Sequence, residues 1–286
     1  MSDRLLGIST IISPEGSKRI RKYFVMKLDA YKLKWIAIIG MILNHMVFAL
    51  YEILPLWLKF PLYAAGGLTF PIMAYFVVEG YKHTSNIKKY LLRLFIFGLL
   101  AVPFHLLVFR MFIPNILFTI IFSLIILILH DKIKIRMLFG PIFALLLVIS
   151  AMVTMMDWSI IGPVIVLLYY KLRNENVRRI APSIVAGVFM LISSLMAIFG
   201  IQQSGPEIMM AQMGGLSMYG DINYWIVSTT FIIGCISAGL LLKCFNGERG
   251  KRMKWTFYIA YPLHLAVLGL IALALGLVSI YGFLQV

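Results

Sequence analysis

Three of the five histidines, His45, His105 and His264, stand inside long apolar runs of the chain. An imidazole in hydrocarbon is costly, so such a residue is a functional candidate or a buried link between helices. His45 follows Asn44 in the run Lys34–Leu50, about eleven residues in, close to mid-bilayer if the run crosses a membrane. Asn44 projects about 100° away from it around the helix, so the two side chains need not touch. His264 sits about nine residues into the last run, after Tyr258, Tyr261 and Pro262, at a similar depth. Two histidines at one depth, on the first and last runs, would face each other if the bundle closes. His105 and Pro103 lie in the outer half of a third run, where His105 is a second active-site imidazole or a packing histidine. Asp157 precedes a short run. It reads as an N-cap or as a carboxylate that orients an imidazole. Neutral imidazoles at such positions suit general-base or nucleophilic chemistry.

Other polar residues fall at the ends of the runs. Glu79 and Arg93 are at similar depth on successive runs, so an ion pair between them is expected, with a helix-end anchor as the plain alternative for Glu79. Asn115 follows Pro114 at the start of a run and reads as a helix cap. Cys235 and Cys244 are separated along one helix by roughly 13 Å, too far for a disulfide. The sequence has no Cys/His spacing suited to a metal.

The elements that must position these groups are membrane helices. The 286 residues are 62% hydrophobic and 13% charged, with mean hydropathy +0.95, against about 25% charged in soluble domains. Nine apolar spans are expected, near 34–53, 60–80, 89–109, 115–130, 138–155, 158–171, 180–201, 223–243 and 255–277. The sixth is short and carries Gly162-Pro163, so it is kinked, re-entrant or buried inside the bundle. With this count, 24 of the 26 basic residues fall on one side, and only Lys59 and Arg110 on the other. The positive-inside rule then makes the N-terminus cytoplasmic and the C-terminus external. The net charge of +15 is spread in clusters between apolar runs, which argues against a nucleic-acid surface. Residues 1–32 read as a basic cytoplasmic segment, either tail or surface-lying helix, without the pattern of a cleaved signal. Residues 33–286 read as a single all-α bundle. The connection Gln202–Ile222 is acidic and Met/Gly-rich, an external lid, docking surface or plain loop.

Taken together, Leu33–Met46 with Asn44-His45, Phe70-Pro71 to Glu79-Gly80, Tyr90 to Arg93, Asn115 to Phe118, Asp157 with Ile161-Gly162, and Tyr258 to His264 form an ordered set. Their order and spacing resemble the TraX family, membrane proteins associated with N-terminal acetylation of conjugative pilin, over most of residues 28–270. This chain has Asn44 where that family favours Asp, so the position can hydrogen-bond but supplies no negative charge. The resemblance implies transfer of an acetyl group from acetyl-CoA to an amine of a peptide or other exported acceptor. His45, His264, His105 and Asp157 would form the catalytic set. Arg93, Lys88, Lys89 and Glu79 would stand on the donor side, and Asn44, Asn115 and Tyr261 on the substrate side. A proton-coupled transporter and a non-catalytic accessory protein are the competing classes.

Overall fold

The computed structural model describes residues 27–110, 114–133, 135–153, 158, 160–212, 217–252 and 254–278. Among these the chain is all-helical, in thirteen α-helices, with one isolated β-bridge and no strand. In chain order they are α1 Ala30–Ala49, α2 Leu56–Gly66, α3 Thr69–His83, α4 Ile87–Phe109, α5 Ile116–Lys132, α6 Arg136–Val153 and α7 Ile161–Lys171. Then come α8 Glu175–Ser204, α9 Pro206–Gln212, α10 Ser217–Gly220, α11 Ile222–Ser228, α12 Phe231–Lys243 and α13 Lys254–Ala274.

The helices start where short polar side chains satisfy the first free N–H groups. Asp29, Asn86, Asn115, Asn174 and Asp221 each accept a backbone N–H of the helix they open. Along the helices the sequence is apolar on every side, the pattern of elements with lipid on one flank and protein on the other. Six segments are long and apolar enough to cross a bilayer: Ala30–Ala49, Leu56–His83, Ile87–Phe109, Glu175–Ser204, Ile222–Lys243 and Trp255–Ala274. The protein is therefore a multi-pass membrane protein. Two of the six are broken helices, α2–α3 at Gly67-Leu68 and α11–α12 at Thr229-Thr230.

The expected spans five and six correspond to shorter apolar stretches, Met137–Ile149 in α6 and Ile161–Lys171 in α7. The fourth corresponds to the 17-residue α5. At 1.5 Å per residue α7 is far shorter than the roughly 30 Å hydrocarbon layer. It survives because it is inside the bundle, packed on α3, α5 and α8, with Ile165, Val166 and Tyr169 fully buried. The Gln202–Ile222 connection is not an open loop: its described residues are built largely from α9 and α10, which pack on α8 and α11.

The broken segment Leu56–His83 is the central one, with 61% of its apolar window buried against 28–44% in the other five spans. Small residues let it approach its neighbours. A Cβ added at Gly234 would overlap the Ala64 carbonyl oxygen, and one at Gly66 would lie 2.5 Å from Cγ of Asn44. The first and last helices close the bundle: α13 packs on α4 and on α1. The segment before α1 is also clipped to the α12–α13 loop. Leu28 N–H donates to the Cys244 carbonyl at 3.0 Å, Asn246 N–H to the Leu28 carbonyl at 2.9 Å, and Ala30 N–H to the Glu248 carbonyl at 2.9 Å. The loop comes this close at Gly250 (φ 64°), where any side chain would strike the carboxyl of Asp29, the α1 cap.

Candidate functional site

Closure of α13 on α1 brings His45 and His264 into contact. His45 Nδ1 lies 2.6 Å from His264 Nε2, with the ring planes 23° apart and the centroids separated by 4.9 Å. Both residues are buried. The other His264 nitrogen, Nδ1, is 2.7 Å from the carbonyl oxygen of Ala260. A carbonyl oxygen only accepts, so with both rings neutral the proton of His264 is on Nδ1. Its Nε2 then accepts, and His45 must donate through Nδ1–H. That leaves His45 Nε2 with an in-plane lone pair. One helical carbonyl thus fixes the tautomers of two imidazoles.

His45 forms part of the wall of a cavity of about 130 Å³. The α1 residues Ala37, Ile38, Met41, Asn44 and Phe48 line it too, an i, i+3/i+4 stripe along one helix face. Thr69 and Met73 of α3 and Phe257 and Tyr261 of α13 complete the near side, and Trp158, stacked on Phe70 at 4.2 Å, closes another. The Asn44 amide nitrogen is buried and has no hydrogen-bond partner among the described residues.

Lys34, at the start of the same α1 stripe, opens on a second and larger cavity of about 830 Å³. Met73 and Phe257 line both cavities. The second one is a basic basin. Arg178, though buried, is neutralised: Nη1 donates to Glu79 at 2.9 Å, Nε lies 2.8 Å from Glu175, and Nη2 donates to the Tyr75 hydroxyl at 3.0 Å. Arg179 donates to Glu175 at 2.7 Å and to the Phe245 carbonyl at 2.9 Å. Lys34, Arg93, Arg249 and Lys251 also line the basin, and among the described residues none of them is in an ion pair. The Arg93 guanidinium lies about 6 Å from the rings of Tyr90 and Tyr258. A basin with four unmatched cations suits a polyanion.

The opposite end of α1 carries a different cluster. Tyr51 donates to Asp221 at 2.6 Å, and the Lys59 ammonium lies 3.5 Å from the Tyr51 ring centroid. Burial, with the hydrogen bond to Asp221, pushes the Tyr51 phenol well above the usual tyrosine range.

With this geometry in view, the comparisons with known proteins decide the relationship. The family model described as "TraX protein" matches residues 30–272, from the first turn of α1 to the last of α13. The chain belongs to the TraX family. It is also 30% identical to the "Probable fimbrial assembly protein FimC, serogroup H1" of Dichelobacter nodosus, over 84% of this chain and 94% of that protein. No solved structure matches it.

In this TraX-family chain the expected site residues divide into groups. His45 and His264 touch, and Asn44 and Tyr261 line the same chamber. His105 is buried one ring away: it stacks on Phe109 at 4.4 Å, and Phe109 meets His45 edge-on at 5.1 Å. Its Nε2 has no partner among the described residues. Asn115 does not line the chamber. Its amide caps α5 through Leu117 N–H and donates to the Gly98 carbonyl at 2.9 Å, joining α5 to α4. Asp157 lies outside the described residues, though its neighbour Trp158 lines the chamber. Glu79 and Arg93 both line the basin, but Glu79 pairs with Arg178 and, at 3.6 Å, with Lys82 rather than with Arg93. Lys88 and Lys89 are exposed and do not line it. Lys34, Arg178, Arg179, Arg249 and Lys251 were legible only as topology charges. Met73 and Phe257 carry no sequence signal beyond apolarity.

Proposed function

We propose that this chain is an integral membrane acyltransferase that moves an acetyl group from acetyl-CoA to an amine of a peptide or other exported acceptor. In this reading the bundle crosses the bacterial cell membrane nine times, N-terminus in the cytoplasm and C-terminus outside, and the basic basin faces the cytoplasm. One observation supports it above others. The stripe from Lys34 to His45 runs from a polyanion-suited basin to a tautomer-fixed imidazole, over eleven residues or roughly 16 Å of helix. An extended pantetheine arm spans such a distance, so phosphates held at Arg93, Arg249 and Lys251 would leave the thioester at His45.

The chemistry follows from the lone pair on His45 Nε2. An α-ammonium of pKa about 7.7–8.0 must lose a proton before it attacks. Once that first proton has gone to solvent, His45 Nε2 takes a second proton from the neutral amine, as general base, while the nitrogen bonds to the thioester carbonyl carbon. His264 Nε2 holds the Nδ1–H of the resulting imidazolium. The buried Asn44 amide, without a hydrogen-bond partner among the described residues, would donate from the chamber wall to the carbonyl oxygen as it gains negative charge. Collapse of the tetrahedral species breaks the C–S bond, and the imidazolium returns its proton to the departing thiolate. The fimbrial-assembly name of the relative makes pilus subunits with a free N-terminal amine the first acceptors to try.

The test uses purified full-length protein in lipid nanodiscs with radiolabelled acetyl-CoA and an amine-terminated peptide. Label should move to the peptide in the wild type and fail to do so in His45→Ala. Full transfer by His45→Ala removes His45 from the mechanism. Donor binding without any transfer favours the accessory class, and charge movement without donor favours the transporter.

A further inference from the structure

The basin and the histidine chamber adjoin across two side chains, Met73 of α3 and Phe257 of α13, the residues common to both walls. One is an unbranched thioether and the other an aromatic ring, so the junction is apolar. The Phe257 ring is further engaged from the basin side: the Lys34 ammonium lies 5.8 Å from its centroid and 5.0 Å from that of Phe76. That cation–π pairing holds the ring at the junction and keeps the charge out of the chamber. Beyond the junction the space is small. At about 130 Å³ the chamber is close in size to protein cavities of about 150 Å³ that take up a single benzene molecule. It must hold the acyl group together with the attacking amine.

From this we infer that Met73 and Phe257 form a neck that selects the acyl group, admitting a short unbranched chain and rejecting a branched one of the same donor. The inference rests on the acyltransferase reading and adds its specificity determinants. A group that must pass the neck before its carbonyl reaches His45 is screened by breadth. An apolar group that does not fit a protein site costs about tenfold or more per misplaced methyl or methylene. Met73 is the adjustable half, because shortening it widens the neck without releasing Phe257 from Lys34.

The experiment compares acetyl-, butyryl- and isobutyryl-CoA as donors to one amine peptide, with full-length protein in nanodiscs. The readout is the ratio of kcat/KM for isobutyryl to acetyl, which a partial folding defect does not move. The wild type should favour acetyl by at least about tenfold, Met73→Ala should raise the isobutyryl ratio by about tenfold, and Met73→Leu, which keeps the volume, should not. Phe257→Leu is a second route to a wider neck if Met73→Ala fails to fold. A wild type indifferent to branching overturns the neck, as does an unchanged ratio in both widened variants. Absence of transfer from every donor overturns the underlying reading instead.

Discussion

Replacing His264 separates the orientation of His45 from proton relay. His264→Ala removes the acceptor of the 2.6 Å bond from His45 Nδ1–H. Both rings are buried, with His45 at 7% and His264 at 7% exposure, so water does not freely replace that acceptor. A buried donor left without a partner costs about 1–3 kcal/mol. His45 can avoid that cost by moving its proton to Nε2 or by turning, and either removes the lone pair from the chamber. At 1.36 kcal/mol per decade, the productive orientation falls by roughly 5- to 150-fold. Acetyl transfer should fall by the same factor, mainly in kcat, since the donor basin is untouched. His264→Gln places an amide oxygen near the lost Nε2. It accepts from His45 but cannot carry a proton onward. Transfer by His264→Gln should recover to within about tenfold of wild type. The assay is label transfer from acetyl-CoA under saturating donor. If His264→Gln is as poor as His264→Ala, His264 passes a proton and does not merely orient its neighbour. If His264→Ala keeps wild-type kcat, the paired histidines are not the reacting centre.

Arg178→Ala strips Glu79, Glu175 and Tyr75 of their common partner. Breaking a buried pair costs about 3–5 kcal/mol; because the two carboxylates are 27% and 46% exposed and can rehydrate, a loss near the lower end is expected, read from denaturation in detergent. Arg93→Gln should raise the donor KM by about 10- to 100-fold, the value of one or two charge-assisted contacts, whereas Lys88→Gln and Lys89→Gln, outside the basin, should leave it unchanged. The raised Tyr51 phenol has a defined sign: its stabilising contribution is full below about pH 10 and is lost as pH rises further, because the unfolded chain ionises first. Tyr51→Phe should therefore lose stability less steeply than wild type above that pH, measured by thermal unfolding across an alkaline series.

The sequence marked the helices well, because basic clusters interrupt the apolar runs and depth along a helix follows from counting. That arithmetic also matched His45 with His264. Breaks such as Gly67-Leu68 were less visible: an apolar run continues through them, and only packing against Gly234 reveals why the backbone turns. Partner choice was least legible. Glu79 had an arginine at the right depth on the next helix, yet Arg178, 99 residues away, reaches it first. Depth is one coordinate, and rotation and neighbour order around the bundle are two more. Asn115 shows the opposite case, since its capping role is local and needs no neighbours to be read.

The contact between His45 and His264 joins positions 219 residues apart. Chains are synthesised at about 5–20 residues per second, so His45 leaves the ribosome roughly 10–40 s before its partner exists. Throughout that interval no nascent chain holds the complete pair. The clip between Leu28 and the Cys244–Asn246 segment likewise joins the start of the bundle to the loop that precedes α13. The pair is therefore completed only when α13 docks against α1.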